Sequence, residues 1–173
     1  LFNIIGPLTN PAHVERQVLG VFSPNLCQSI AESLSKLGTK HALVVSSADG
    51  LDEISIAAPT AVWEMRDGVV ERFQIDPNGY GHGHKDLTGL GVNSAQESAD
   101  LIKSALSQVS GETAERARSM MALNAGAAIY VSGVAATLKA GIAAADEAIG
   151  SGAALDKLDS FVSFTQQLRA EAS

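Results

Sequence analysis

A chain of 173 residues that is 46% hydrophobic is long enough for one domain with a real core, which excludes a disordered polypeptide. Its formal net charge of -7 excludes a broad basic surface for nucleic acid or acidic membrane, so any bound anion must be handled in a local pocket. Cys27 is the sole cysteine; this excludes an internal disulfide and a thiolate metal cluster, and a reducing cytoplasm is the expected setting.

The chain opens at Leu1 with neither an initiator methionine nor a signal-peptide pattern, which reads as a cut rather than a natural beginning. Leu1 to Pro11 reads as a helix end running into a rigid loop, because Pro7 and Pro11 fix the backbone and push the residues before them out of helical geometry. Val18 to Phe22 is a continuous apolar run of strand length. Ser23-Pro24 then reads as an N-cap with proline at the first helical position. The helix from Pro24 carries Leu26, Cys27, Ile30, Ala31, Leu34 and Leu37 at helical spacing, and Gly38 stands where a left-handed terminating residue is wanted. His41 to Ser46 supplies a second strand. Strand, helix and strand in this order predict a right-handed crossover joining two parallel strands.

Thr60 to Arg66 and Val69 to Ile75 flank Asp67-Gly68, a strong hairpin signal because both turn residues tolerate positive φ. Ala61, Trp63 and Met65 share one face of the first strand, and Val69, Phe73 and Ile75 one face of the second. A hairpin with one buried side is expected. Pro77 to Gly91 is glycine-rich and polar, a loop with no expected core role. Asn93 and Ser94, each followed three residues later by Gln96 or Glu97, offer overlapping capping boxes for a helix that turns Leu101, Ile102, Ala105, Leu106 and Val109 inward. Three more helices are expected at about Glu112 to Val131, Val134 to Ile149 and Ala153 to Ala170, parted by glycines. Asn124, Ser132, Lys139 and glycines interrupt the apolar stretch from Met120 to Ala145, so it reads as packed helices rather than a membrane span. The fold class expected is therefore α/β: a sheet with a parallel crossover unit plus a hairpin, flanked by helices and ending in a run of C-terminal helices.

Asp49-Gly50-Leu51-Asp52-Glu53 follows the second strand directly. Adjacent acids point to opposite faces in a regular strand, but in a loop Asp52 and Glu53 can both turn their oxygens onto one hard cation. Open parallel sheets bind ligands beyond the carboxyl ends of their strands, which puts this loop on the ligand side. Magnesium and a phosphate-bearing substrate are the chemistry such a site suits. His82-Gly83-His84 brings two imidazoles close together but offers no third metal ligand. Cys27, on the apolar face of its helix, reads as a small buried hydrophobe. Asn124 reads as a buried amide bonded to a neighbouring backbone. No Walker-type loop, dinucleotide fingerprint or hydrolase triad is present, and no catalytic residue is assigned.

Taken together, Leu1-Phe2-Asn3-Ile4-Ile5-Gly6-Pro7-Leu8-Thr9-Asn10-Pro11, Asp49-Gly50-Leu51-Asp52-Glu53 and Leu123-Asn124-Ala125 resemble the anthranilate phosphoribosyltransferase family, over the carboxyl-terminal half of that family's length. The resemblance implies a nucleoside phosphorylase/phosphoribosyltransferase-like large domain, incomplete here. Residues 1–11 would be a remnant of the small helical domain with a substrate-channel loop, and residues 12–173 the C-terminal part of the α/β domain. It implies transfer of a phosphoribosyl group from phosphoribosyl pyrophosphate to anthranilate, with release of pyrophosphate, in tryptophan biosynthesis. Asp52 and Glu53 would bind magnesium, Gly6 and Pro7 would line the anthranilate channel, and the full-length protein would be a cytoplasmic homodimer with no nucleic-acid or membrane partner. By the same resemblance, the glycine-rich pyrophosphate loop and the arginine that grips anthranilate would belong to a half upstream of Leu1. Two other readings are a pyrimidine nucleoside phosphorylase-like enzyme and a non-catalytic, nucleic-acid-binding relative of the same fold. The Gly6 to Pro11 and Asp49 to Glu53 loops favour the transferase, and the acidic balance speaks against the binder.

Overall fold

The computed structural model describes Leu8 and residues 14–171. Four strands form one mixed sheet in the order β1 (Arg16–Gly20), β2 (His41–Ser47), β3 (Thr60–Arg66), β4 (Val69–Ile75). β1 and β2 run parallel and are joined by helix α1 (Pro24–Lys36); β2, β3 and β4 are antiparallel neighbours. Helices α2 (Ala95–Leu106), α3 (Glu112–Ser132), α4 (Leu138–Gly150) and α5 (Ala153–Glu171) complete the chain. This is the α/β architecture expected. The boundary expected at Pro11 lies outside the described residues.

Every residue of β2 is buried, because helices cover both faces of the sheet. On one face Ala42, Val44, Trp63 and Met65 pack on Cys27, Ile30, Ala31 and Leu34 of α1. On the other, Leu43, Val45, Val62 and Ile75 meet Leu123, Ala127 and Val131 of α3 and Ile142 of α4. Each fully buried side chain of this size contributes about 1.5–3 kcal/mol relative to leaving it in water. Burial pushes the Cys27 thiol up to about 11, so it stays a neutral, inert hydrophobe as its helix position implied. At the outer surface α5 closes a smaller cluster around Leu106, Ala122 and Ile149.

β1 lies two residues earlier than its apolar run suggests. Arg16 pairs with His41 and Gly20 with Val45, while Phe22 is 64% exposed. Arg16 holds its strand place through a distant partner: its Nη1 donates to the Val131 carbonyl at 2.9 Å, near the carboxyl end of α3, where a cation is favoured. Ser23 occupies the N-cap of α1 in extended geometry, but its side chain makes no capping bond; Pro24 follows at the first turn as expected.

The hairpin has the predicted strands, and Asp67 and Gly68 take φ of 49° and 84°. It does not have one buried side. The turn pairs Trp63 with Arg72 and Met65 with Val70, so Trp63 and Met65 lie on the α1 face while Phe73 and Ile75 lie on the α3 face. Val69, at the hairpin tip, is 60% exposed. Arg72 covers the Trp63 ring at 4.7 Å, shielding an indole on the outer strand pair.

Residues 77–91 do have a core role, contrary to expectation. Tyr80, Leu87 and Leu90 pack against the main core, and the His84 amide donates to the Ile56 carbonyl at 2.7 Å. Val109, expected inward, is 50% exposed because α2 stops at Leu106. Ser94 caps α2, accepting from the Glu97 amide at 3.1 Å as predicted, but the return bond of the box differs, since Glu97 accepts from the Asn93 amide at 2.8 Å rather than from that of Ser94. α4 starts at Leu138 rather than Val134, because Thr137 is the residue that caps it, accepting from the Ala140 amide. α3 and α4 meet backbone to backbone. A Cβ on Gly141 would stand 2.3 Å from the Gly126 carbonyl, and one on Gly126 would stand 2.5 Å from the Ile142 Cα.

Candidate functional site

The loop between β2 and β3 is tied down at nearly every residue. The Ser47 amide donates to Leu51 O and the Ala48 amide to Pro59 O, both at 3.0 Å, closing its base. Within it, the Ser55 hydroxyl donates to Asp49 Oδ2 at 2.6 Å and accepts from the Ala57 amide at 3.0 Å. The Ser55 amide in turn donates to Thr60 Oγ1 at 3.1 Å. Ile54 and Ile56 are driven fully into the core. Asn124 reaches across from α3, its Oδ1 accepting from the Ile54 amide and its Nδ2 donating to the Ile54 carbonyl, each at 2.9 Å. Such bonds contribute about 0.5–1.5 kcal/mol each, and together they leave the loop little freedom.

What this scaffold leaves outside is the pair of acids. Asp52 and Glu53 are exposed, and neither carboxylate has a hydrogen-bond or ion-pair partner among the described residues. The loop also lies across the carboxyl end of β1: a Cβ on Gly20 would fall 1.4 Å from the Asp52 carbonyl oxygen, so only glycine admits this approach. Both parallel strands therefore end at the acidic pair, where the topology of such sheets locates ligands. Glu53 forms the rim of an apolar cleft of about 320 Å³ that also involves Leu90, Met120 and Met121.

Asp49, the third acid of the motif, belongs to the scaffold. Partial burial pushes its pKa up, but the Ser47 hydroxyl, the Ser55 hydroxyl and the Leu51 amide outweigh that and hold it below the ordinary carboxylate range. Of these, Ser47 acts from outside good hydrogen-bond geometry. A carboxyl whose folded pKa is depressed adds stability above its unfolded pKa and loses it as pH falls through the folded one. Asp49→Asn should therefore lower the melting temperature at neutral pH, and the difference from wild type should shrink below about pH 4. A difference independent of pH in that range would remove the charge from the account.

The two histidines of the glycine-rich loop diverge. His82 Nε2 lies 3.1 Å from Asp146 Oδ2 on α4, and His84 Nε2 lies 2.9 Å from Ser119 Oγ on α3. Among the described residues no group of three or more His, Cys, Asp or Glu is arranged to hold a metal. Two carboxylates nonetheless fit magnesium, which keeps several waters and binds through one or two acids plus substrate phosphates rather than in an all-protein cage. Gly6 and Pro7 lie outside the described residues. A larger hollow, about 430 Å³, is lined by Glu64, Arg66 and Tyr130. There Glu64 Oε1 accepts from Tyr130 at 2.6 Å and lies 2.7 Å from His41 Nε2, at the amino end of β2 and so away from the ligand end of the parallel pair.

Residues 1–155 match the model of the glycosyl transferase family, a/b domain. The chain belongs to that family. Its glycosyl transferase relatives include the anthranilate phosphoribosyltransferase of Teredinibacter turnerae, 51% identical over 165 residues, which make up 95% of this chain and 48% of that protein. The solved anthranilate phosphoribosyltransferase of Thermus thermophilus superposes with a TM-score of 0.80 at 35% identity, covering 95% of this chain and 47% of that one. The Saccharomyces cerevisiae anthranilate phosphoribosyltransferase solved in complex with PRPP and Mg matches with a TM-score of 0.77 at 27% identity, covering 94% of this chain and 46% of that one. The chain thus spans about half the length of the relatives it matches.

Sequence reasoning missed three parts of this site. Gly20 carried a signal, a glycine inside an apolar strand run, which marks close backbone approach. Ser55 and Thr60 carried none, because their partners are set by the path of the loop.

Proposed function

We propose that the protein containing this chain transfers the phosphoribosyl group of phosphoribosyl pyrophosphate to anthranilate, releasing pyrophosphate, in tryptophan biosynthesis. The observation that carries the reading is the exposed Asp52 and Glu53 pair, held by an over-anchored loop at the carboxyl ends of two parallel strands. Family membership and the half-identical relatives of that name supply the reaction class.

Two bare carboxylates would repel a diphosphate, so the pair needs a divalent cation between itself and the substrate. Magnesium, when bound, neutralises the departing pyrophosphate as positive charge develops on the sugar. Asp52 and Glu53 would hold it, on a loop whose anchors keep both acids in place. Rate enhancement in such chemistry comes from positioning and electrostatics, so no nucleophilic side chain is required. Gly6 and Pro7 would line the anthranilate channel, with proline contributing shape. In this reading residues 1–11 belong to a small helical domain and residues 12–173 to the α/β domain, and the complete protein works as a cytoplasmic homodimer. No helix among the described residues is long and apolar enough to cross a membrane.

The test is the loss of anthranilate fluorescence in the complete protein. Consumption should require phosphoribosyl pyrophosphate and magnesium together. Turnover of a pyrimidine nucleoside with phosphate instead would replace the transferase by a phosphorylase, and neither activity would leave a binding protein.

A further inference from the structure

We infer that Asn124 is a positioning residue for the acidic pair, fixing where Asp52 and Glu53 stand by gripping the peptide groups next to them. This rests on the magnesium reading above. The Ile54 amide belongs to the peptide plane shared with Glu53, and the Ile54 carbonyl to the plane shared with Ser55. Asn124 bonds both, at 2.9 Å each, and so locks the rotation on either side of Ile54. A side-chain amide is suited to this because it offers an acceptor and a donor side by side. Its own rotation is locked in turn: Nδ2 also donates to the Met120 carbonyl one turn back, at 3.0 Å.

The other anchors do a different job. Asp49 and Ser55 brace the loop against itself, and Thr60 ties it to the start of β3. Asn124 ties the loop to α3, whose Leu123 and Ala127 are fully buried in the main core. Magnesium demands near-ideal octahedral geometry, so a small tilt of the loop moves two of its ligands together. Groups that orient metal ligands without touching the metal commonly set affinity in this way.

The complete protein should be made as Asn124→Leu, which keeps the branched shape and the number of heavy atoms but removes both bonds, and as Asn124→Ser, which removes the two-point grip without adding charge or bulk. Mn²⁺ alone, titrated by electron paramagnetic resonance, should bind roughly 10- to 100-fold more weakly to each variant. Without metal, amide exchange across residues 52–54 should rise, while the KM for anthranilate stays near wild type. Asp52→Ala is the control. If it leaves Mn²⁺ affinity intact, the metal reading itself fails. If it abolishes binding while either folded Asn124 variant binds Mn²⁺ like wild type, the positioning role is overturned and the metal reading stands. Failure of both variants to fold also overturns it, because the amide would then be a requirement of the fold.

Discussion

Replacing Asp52 or Glu53 with alanine should cut magnesium-dependent kcat/KM by about two to three orders of magnitude, the scale for losing one preorganised electrostatic contact. Both side chains are exposed and unpaired among the described residues, so stability should change by no more than about 0.5 kcal/mol. That separation of activity from stability is the diagnostic part. The apparent magnesium requirement should rise in each variant, and excess metal should restore part of the rate. Magnesium titrations that superpose on wild type in both variants would remove the metal assignment, and a matching fall in melting temperature would recast the pair as structural.

Gly20→Ala should do what those variants do not, lowering stability and metal response together. The added carbon would stand 1.4 Å from the Asp52 carbonyl oxygen and 2.4 Å from its carbon, so strand or loop must move by more than an ångström. Overpacking of this kind costs about 1–3 kcal/mol. The sheet side is held by β1 pairing with β2, from Arg16 opposite His41 to Gly20 opposite Val45, whereas the acids on the loop side face solvent. The contact is made by the backbone of Asp52 itself, so whichever part yields, Asp52 is displaced relative to the strand ends. Gly79→Ala, at a glycine with nothing within 4 Å of an added Cβ, is the control and should behave as wild type. Thermal melts and magnesium titrations of both variants decide the matter; a destabilised Gly20→Ala with an unchanged magnesium curve would uncouple strand from site.

The hairpin was legible because its signal is local: Asp67-Gly68 sets its own backbone and the strands follow. The face assignment was not, because it depends on register, and one pairing of Trp63 with Arg72 puts two apolar sets on opposite sides of the sheet. β1 began early for a similar reason. Nothing near Arg16 in sequence announces a strand; its partner is a carbonyl of Val131, 115 residues away. The acidic pair could be located from topology alone, since a loop after a parallel strand has one end of the sheet to face. The Asn124 amide was readable as a backbone binder, but its target, 70 residues away, was fixed only when α3 packed on the sheet. The glycine-rich stretch before α2 misled through composition, since the few apolar groups it contributes, Tyr80, Leu87 and Leu90, are the ones that pack inward.

The glycine seam between α3 and α4 reaches further than its own neighbourhood. With Gly126 against Ile142 and Gly141 against the Gly126 carbonyl, the two rods meet with almost no side chain between them, and an interior packed this closely passes strain on rather than absorbing it. Asn124 lies two residues from that seam. A bulky replacement on the back of the rod would thus be transmitted to the acids as misalignment, and damage at a position facing away from the substrate would be read out as a loss of metal.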